Sequence, residues 1–322
     1  MDDIAARELY VIPSVGYSNW NYVANTLHPG LNETFNDMVK NESSVSQQLA
    51  LQYFDDLVRR YASHSSVLFW ELGNELNNMV NLPPPWCDEK DQCFDTAAMV
   101  AYTDKLVTAI YAADADSNRP ISSGFTVPRP SAWHMEHCPM QGDCPADPAG
   151  GTFWTTDTQA QWAEQLKVQQ SSVDVWSVHY YNSSGGGARD AWGVHTHSTN
   201  SSSGECFFTD PCVDDMAVLT VADQAATQAG VSLFIGEFGG PNPEFTGPSA
   251  DSQLFPEAVL QTTVDSAQSG GSILISAIWA WECYTHRSDM NCIFPGSDRE
   301  EEAGSDTMIQ VLKDTNRQLS AL

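Results

Sequence analysis

The sequence predicts an α/β fold, a (β/α)8 barrel that lacks its first two strands, and three observations lead there. Short β-rich apolar runs alternate with helical patterns along the chain, the signature of βαβ units around a parallel sheet. The segments after the runs are long and hold the cysteines, most tryptophans and the turn residues, whereas those before the runs are short. A barrel shows this asymmetry because its site is built from the loops at the carboxyl ends of the strands. Third, the apolar runs number six: residues 9–15, 67–72, 120–123, 173–178, 231–235 and 273–279.

The helical patterns lie between these runs. Residues 46–61 carry Leu49, Tyr53, Phe54, Leu57 and Val58, and residues 97–111 carry Val100, Leu106, Val107 and Ile110, both at helical period. Residues 213–229, 255–266 and 307–319 repeat the pattern. Residues 183–204, rich in Ser and Gly, read as a surface loop or lid, or as an insertion without a role. After the sixth run there is room for one loop and one terminal helix only. The two absent strands are therefore expected at the amino end, with the chain starting in the helix (residues 2–8) before the third strand.

The 322 residues, 42% hydrophobic with 13 Phe, 10 Trp and 10 Tyr, suffice for one large core. A formal charge of −28 arises from 14 Lys and Arg against 42 Asp and Glu. Such a surface repels nucleic acid and anionic membranes, and a neutral substrate fits it better than a phosphorylated one. A saline habitat would explain the acidity equally well. No apolar run reaches membrane-spanning length.

Eight cysteines fall into local pairs: Cys87 with Cys93, Cys138 with Cys144, Cys206 with Cys212, and Cys283 with Cys292. The spacing is wider than a zinc knuckle, and an even count at short intervals favours disulfides made in an oxidising compartment. Asn32, Asn41, Asn182 and Asn200 head Asn-x-Ser/Thr sequons, which point the same way. A secreted protein is expected, yet the start, Met-Asp-Asp-Ile-Ala-Ala-Arg, has no apolar signal region. The simplest reconciliation is that residues are missing from the front.

Two glutamates follow apolar runs. Val-Leu-Phe-Trp-Glu-Leu-Gly leads into Asn74 and Glu75, with Glu71 inside the run, and Leu-Phe-Ile-Gly leads into Glu237. A carboxyl group at the end of a barrel strand faces the substrate cleft. Two such groups are what glycosidic cleavage needs, one to protonate the leaving oxygen and one to meet the developing oxocarbenium ion. A single loop glutamate is usually only a solvated charge.

Four motifs together resemble glycoside hydrolase clan A, and most closely family 5, the cellulase and β-mannanase group. Trp70-Glu71-Leu72-Gly73-Asn74-Glu75-Leu76 is similar to that family's strand four, and Ser177-Val178-His179-Tyr180-Tyr181 to strand six. Phe234-Ile235-Gly236-Glu237-Phe238-Gly239 is similar to strand seven, and Ala277-Ile278-Trp279-Ala280-Trp281 to strand eight. The resemblance runs in order from about residue 5 to the end. It implies a single catalytic barrel domain over 1–322, incomplete at its amino end, and a retaining endo-acting β-glycoside hydrolase.

By that resemblance Glu75 is the acid/base and Glu237 the nucleophile, roughly 5–5.5 Å apart as retaining enzymes require. Asn74 would bind the sugar 2-OH, Tyr181 would orient Glu237, and His179 would contact Glu75 or the sugar. Trp281, rather than Trp279, would floor the subsite, and Trp20 and Trp133 are further substrate-binding candidates. Trp86, Trp154 and Trp192 sit in the loops as well, where a ring can equally pack its own loop. The expected partner is a β-linked oligo- or polysaccharide, glucan or mannan, acted on by a monomer with no cofactor. His134 and His137 beside Cys138 lack metal spacing, and no metal is expected.

The family's Arg at the end of strand two has no counterpart here, and no His follows strand three, where Gly16-Tyr17-Ser18-Asn19-Trp20 stands. Asn19-Trp20 resembles the Asn-Trp of plant and fungal β-mannanases. A carbohydrate-binding pseudoenzyme, or an inactive fragment, is the alternative from another class, and an exo-acting glycosidase the alternative within the enzymes.

Overall fold

Each of the six apolar runs overlaps a strand in the computed structural model, which describes residues 1–16, 20–82, 94–181, 207–208, 210, 216–239, 251–278 and 303–322. They are β1 (Ser14–Gly16), β2 (Trp70–Gly73), β3 (Ile121–Ser122), β4 (Val175–Tyr181), β5 (Ser232–Gly239) and β6 (Ile273–Ile278), in that spatial order. All recorded pairings are parallel, as βαβ connections dictate. The fold is therefore the α/β, partial (β/α)8 barrel that the alternation predicts.

Residue contacts divide the chain into two units, Met1–Thr155 with Glu164–Ser177, and Thr156–Ala163 with Val178–Leu322. In the first, β1 pairs with β2 through Ser14↔Glu71 and Gly16↔Gly73, and β2 with β3 through Trp70↔Ile121. Helix α1 (Asp2–Ala5) precedes β1, and α2 (Trp20–Leu27) and α3 (Phe35–Lys40) lead to α4 (Val45–Tyr61). Thr34 and Asp37 form a capping box that starts α3, and Ser44 caps α4. Helix α4 buries Ala50, Phe54 and Val58, one residue per turn on one face. Helix α5 (Thr96–Ala113), capped by Asp95, buries Met99, Tyr102, Leu106 and Ile110 in the same way.

At the amino end of the strands the first unit is tied by Asp114. Its carboxylate accepts from Trp70 Nε1 at 2.9 Å and from Arg119 Nη1 at 3.0 Å, and Arg119 also donates to the Val67 and His64 carbonyls. A network at that face of a barrel contributes to stability rather than to chemistry. Helix α6 (Ala132–His137) and helix α7 (Gln159–Gln169) follow β3.

The second unit holds the end of β4 with β5 and β6, and helices α8 (Met216–Ala229), α9 (Asp251–Ser269) and α10 (Ala303–Leu319). Leu233, Ile235 and Phe238 of β5 are fully buried. Asp223 of α8 accepts from the Ser272 backbone N–H at 2.6 Å and from its hydroxyl at 2.7 Å, which fixes the entry to β6. Trp162 packs edge-on against Phe207 and Phe208. Among the described residues no helix is long and apolar enough to cross a membrane.

Candidate active site

The first half of the site is the carboxyl end of β2. Here Gly16, Gly73 and Gly124 let three strand ends approach closely: a Cβ on Gly73 would lie 2.5 Å from the Gly16 carbonyl oxygen. Gly124 stands at φ +67, and a Cβ there would fall 1.8 Å from the Gly73 carbonyl. Glu71 lies within β2 and is buried, as the sequence suggests. The chain then turns sharply. Glu75 adopts a left-handed backbone (φ 53, ψ 37) and opens a 3-10 turn, Leu76–Met79.

Such a conformation costs a non-glycine residue about 1–3 kcal/mol and persists only where surrounding contacts enforce it. Those contacts are present. The Glu75 N–H donates to the Gly124 carbonyl at 2.7 Å, and the Glu75 carbonyl accepts from the Asn78 N–H at 3.0 Å. Buried Asn77 donates to the Thr126 carbonyl at 2.8 Å and accepts from the Thr126 N–H at 3.1 Å, pinning the turn to the segment after β3. The Asn78 amide donates to Glu75 Oε2 at 2.8 Å.

Asn74 and Trp20 line one small pocket with Gly16, Phe54, Leu76 and Phe125. The Trp20 ring lies 4.7 Å from that of Tyr53, inclined at 45°. Trp133 is placed differently. It is buried, stacks on His137 at 4.4 Å, and donates from Nε1 to Glu164 Oε2 at 3.1 Å, so protein covers its ring. It borders the Cys138–Cys144 disulfide, which forms as the local pairing predicts. His134 is buried beside Asp147, its Nε2 3.3 Å from Asp147 Oδ2.

The second unit supplies Glu237 and His179. Glu237 lies near the carboxyl end of β5, where the register against β6 shifts between Ile235 and Phe238. An irregularity of this kind re-aims side chains and is common beside active sites. His179, on β4, is buried with its Nδ1 3.5 Å from Glu237 Oε2. A histidine there restricts the carboxylate's rotamers. The family resemblance gives His179 a contact with Glu75 or the sugar, and within this unit it lies beside Glu237.

Trp281, the Tyr181 side chain and the cysteines other than Cys138 and Cys144 lie outside the described residues. Asn77 and Asn78 went unnoticed in the sequence, where they read as polar turn residues. The one available signal was their position two and three residues after Glu75.

The family model for cellulase (glycosyl hydrolase family 5) matches residues 14–264. No curated protein matches the chain. Among solved structures, a glycoside hydrolase family 5 mannosidase from Rhizomucor miehei is similar at 14% identity and a TM-score of 0.54, over 99% of this chain and 74% of that one. An endo-β-1,4-mannanase from Thermotoga petrophila is similar at 15% identity and a TM-score of 0.50, over 88% of this chain and 52% of that one. The chain thus spans about half the length of that mannanase. At such identities the likeness shows the fold.

Proposed function

Because the chain belongs to glycosyl hydrolase family 5, we propose that it is a retaining endo-acting β-glycanase with Glu75 as acid/base and Glu237 as nucleophile. One observation supports this reading above the others: Glu75 and Glu237 each stand at the carboxyl end of a parallel strand, where barrel enzymes build their sites. Buried His179 beside Glu237 suits a carboxylate that must be held in one orientation to attack.

In the first step a Glu237 oxygen bonds to the anomeric carbon while Glu75 gives its proton to the departing glycosidic oxygen. In the second, Glu75 takes a proton from water, whose oxygen displaces Glu237 from the sugar with overall retention. Asn74 is proposed to hold a sugar hydroxyl and the Trp20 ring to cover an apolar sugar face, a reading supported by the pocket they share. Trp281 and Tyr181 are proposed as subsite floor and Glu237 partner on the family resemblance alone. The substrate class is a neutral β-linked glucan or mannan, in keeping with the chain's charge of −28. A secreted location is proposed with it, supported by the Cys138–Cys144 bridge.

The test is turnover on a panel of β-glucans and β-mannans, with labelling by a 2-deoxy-2-fluoro-β-glycoside. Glu237→Ala is expected to lower kcat by on the order of 10⁴-fold or more, and mass spectrometry to find the fluoro-sugar ester on Glu237. An unchanged rate in Glu237→Ala overturns the nucleophile assignment. Binding without turnover by the unaltered chain points to the carbohydrate-binding alternative.

A further inference from the structure

We propose that Asn78 is a positioning residue for proton delivery by Glu75, and that Arg129 holds Asn78 in place to do so. The inference rests on the catalytic reading of Glu75 given above. A glutamate side chain has three rotatable bonds, and one on a strained left-handed backbone needs external contacts to hold a single geometry. The structure supplies one at the reacting group itself. The Asn78 side-chain amide donates to Glu75 Oε2 at 2.8 Å.

Asn78 is fixed in turn. Its backbone carbonyl accepts from Arg129 Nη2, and Arg129 Nη1 donates to the Val80 carbonyl at 3.1 Å. Arg129 is itself buried, 7% exposed. A guanidinium is a rigid planar fork that remains charged at every working pH, so it clamps the carbonyls of residues 78 and 80 as one unit. Asn77 pins the same turn to Thr126 from within. Three of the five residues after the glutamate, 77, 78 and 80, are thereby tied down.

The chemistry follows from which oxygen Asn78 engages. An amide N–H can only donate, so it selects an oxygen that carries no proton. Oε2, held by Asn78, is the less basic oxygen, and the proton of the acid form resides on Oε1. During glycosidic cleavage that proton moves from Oε1 to the glycosidic oxygen as the bond from anomeric carbon to oxygen breaks. The leaving sugar departs as a neutral alcohol, and Glu75 is left as a carboxylate with Oε2 still held. In the second step Oε1 takes a proton from the attacking water. Asparagine keeps its donor at every pH, whereas an aspartate here would set a second carboxylate against Glu75.

The test uses leaving groups, because only a poor leaving group needs the proton. The 2,4-dinitrophenyl and phenyl β-glycosides of cellobiose or mannobiose, whichever the unaltered chain cleaves, are compared for the unaltered chain, Asn78→Ala, Asn78→Asp and Glu75→Ala. A hydrogen bond to a charged group corresponds to about 10- to 100-fold in rate. Asn78→Ala is therefore expected to lose about that factor in kcat/KM, which reports the first step alone, for the phenyl glycoside, and less than about 3-fold for the dinitrophenyl one. Asn78→Asp, which preserves side-chain size and hence the turn, should show the same split if Asn78→Ala does not fold. Equal losses on both glycosides, or no loss on either, overturn the proposal. If Glu75→Ala instead keeps full activity on the phenyl glycoside, the catalytic reading of Glu75 fails, and the positioning role fails with it.

Discussion

Asp147 shows what one buried carboxylate contributes to the loops around this site. It accepts from the backbone N–H of Ala149 at 3.0 Å and of Gly151 at 2.8 Å, and faces His134. The Ala149 hydrogen bond, followed by His134, holds its pKa below the ordinary 3.8 against the opposing effect of burial. A carboxylate with a depressed folded pKa stabilises the native state above pH 3.8 and loses that contribution as pH falls through the lower folded value. Asp147→Asn should therefore destabilise by about 1–3 kcal/mol at pH 7. In urea unfolding the difference from the unaltered chain should shrink steadily below pH 4. A difference that persists undiminished at pH 2 would trace the loss to packing instead.

This pairing was not legible in the sequence, because His134 and Asp147 lie thirteen residues apart with no pattern linking them. The positions of Glu75 and Glu237 were legible, since each ends an apolar run. The left-handed backbone at Glu75 was not, because it follows from contacts with Gly124 and Asn78 that form only in three dimensions.

At the scale of elements, Gly124 carries the tightest constraint. At φ +67 any other residue strains the backbone, and a Cβ would lie 1.8 Å from the Gly73 carbonyl, which cannot rotate away as a side chain could. Backbone strain and overpacking together predict that Gly124→Ala destabilises by about 2–4 kcal/mol. Thermal unfolding would register this as a clear drop in Tm. Activity should fall with it, because the Glu75 N–H donates to the Gly124 carbonyl. A Tm unchanged within error would mean that the strand ends can separate freely.

Strands β2, β3 and β4 were visible because a parallel strand buried on both faces is a largely apolar run. Strands β1 and β6, only partly buried, were visible through their β-branched residues. Helix α7 was not, and its residues explain why. Apart from Trp162 and Leu166, its buried positions include Gln165 and Gln169, used as hydrogen-bonding groups rather than apolar ones. Gln165 donates to Thr96 Oγ1 at 3.1 Å, and Gln169 accepts from Asn77 at 3.2 Å. A polar face turned inward hides the 3.6-residue apolar period. Short helices such as α2 and α6 carry too few turns for any period to show.

At the scale of the whole molecule, charge decides more than it does at any single pair. The net charge of −28 is a property of the full sequence and yields a prediction. Repulsion among so many carboxylates opposes the compact state. Salt screens it, since the Debye length falls from roughly 30 Å at 0.01 M to less than about 8 Å at 0.5 M. Salt also weakens the exposed ion pairs Arg59–Asp55, Lys105–Glu42 and Arg317–Asp314, which oppose the gain. Such solvent-exposed pairs contribute little, and 14 cations cannot neutralise 42 anions. Repulsion therefore wins, and raising NaCl from about 0.01 to about 0.5 M should stabilise by about 1–2 kcal/mol, or about 2–6 °C in Tm. NaCl is the salt to use, because sulfate would strengthen apolar burial and mask the electrostatic effect. A Tm that falls with NaCl would show that local pairs outweigh the net charge.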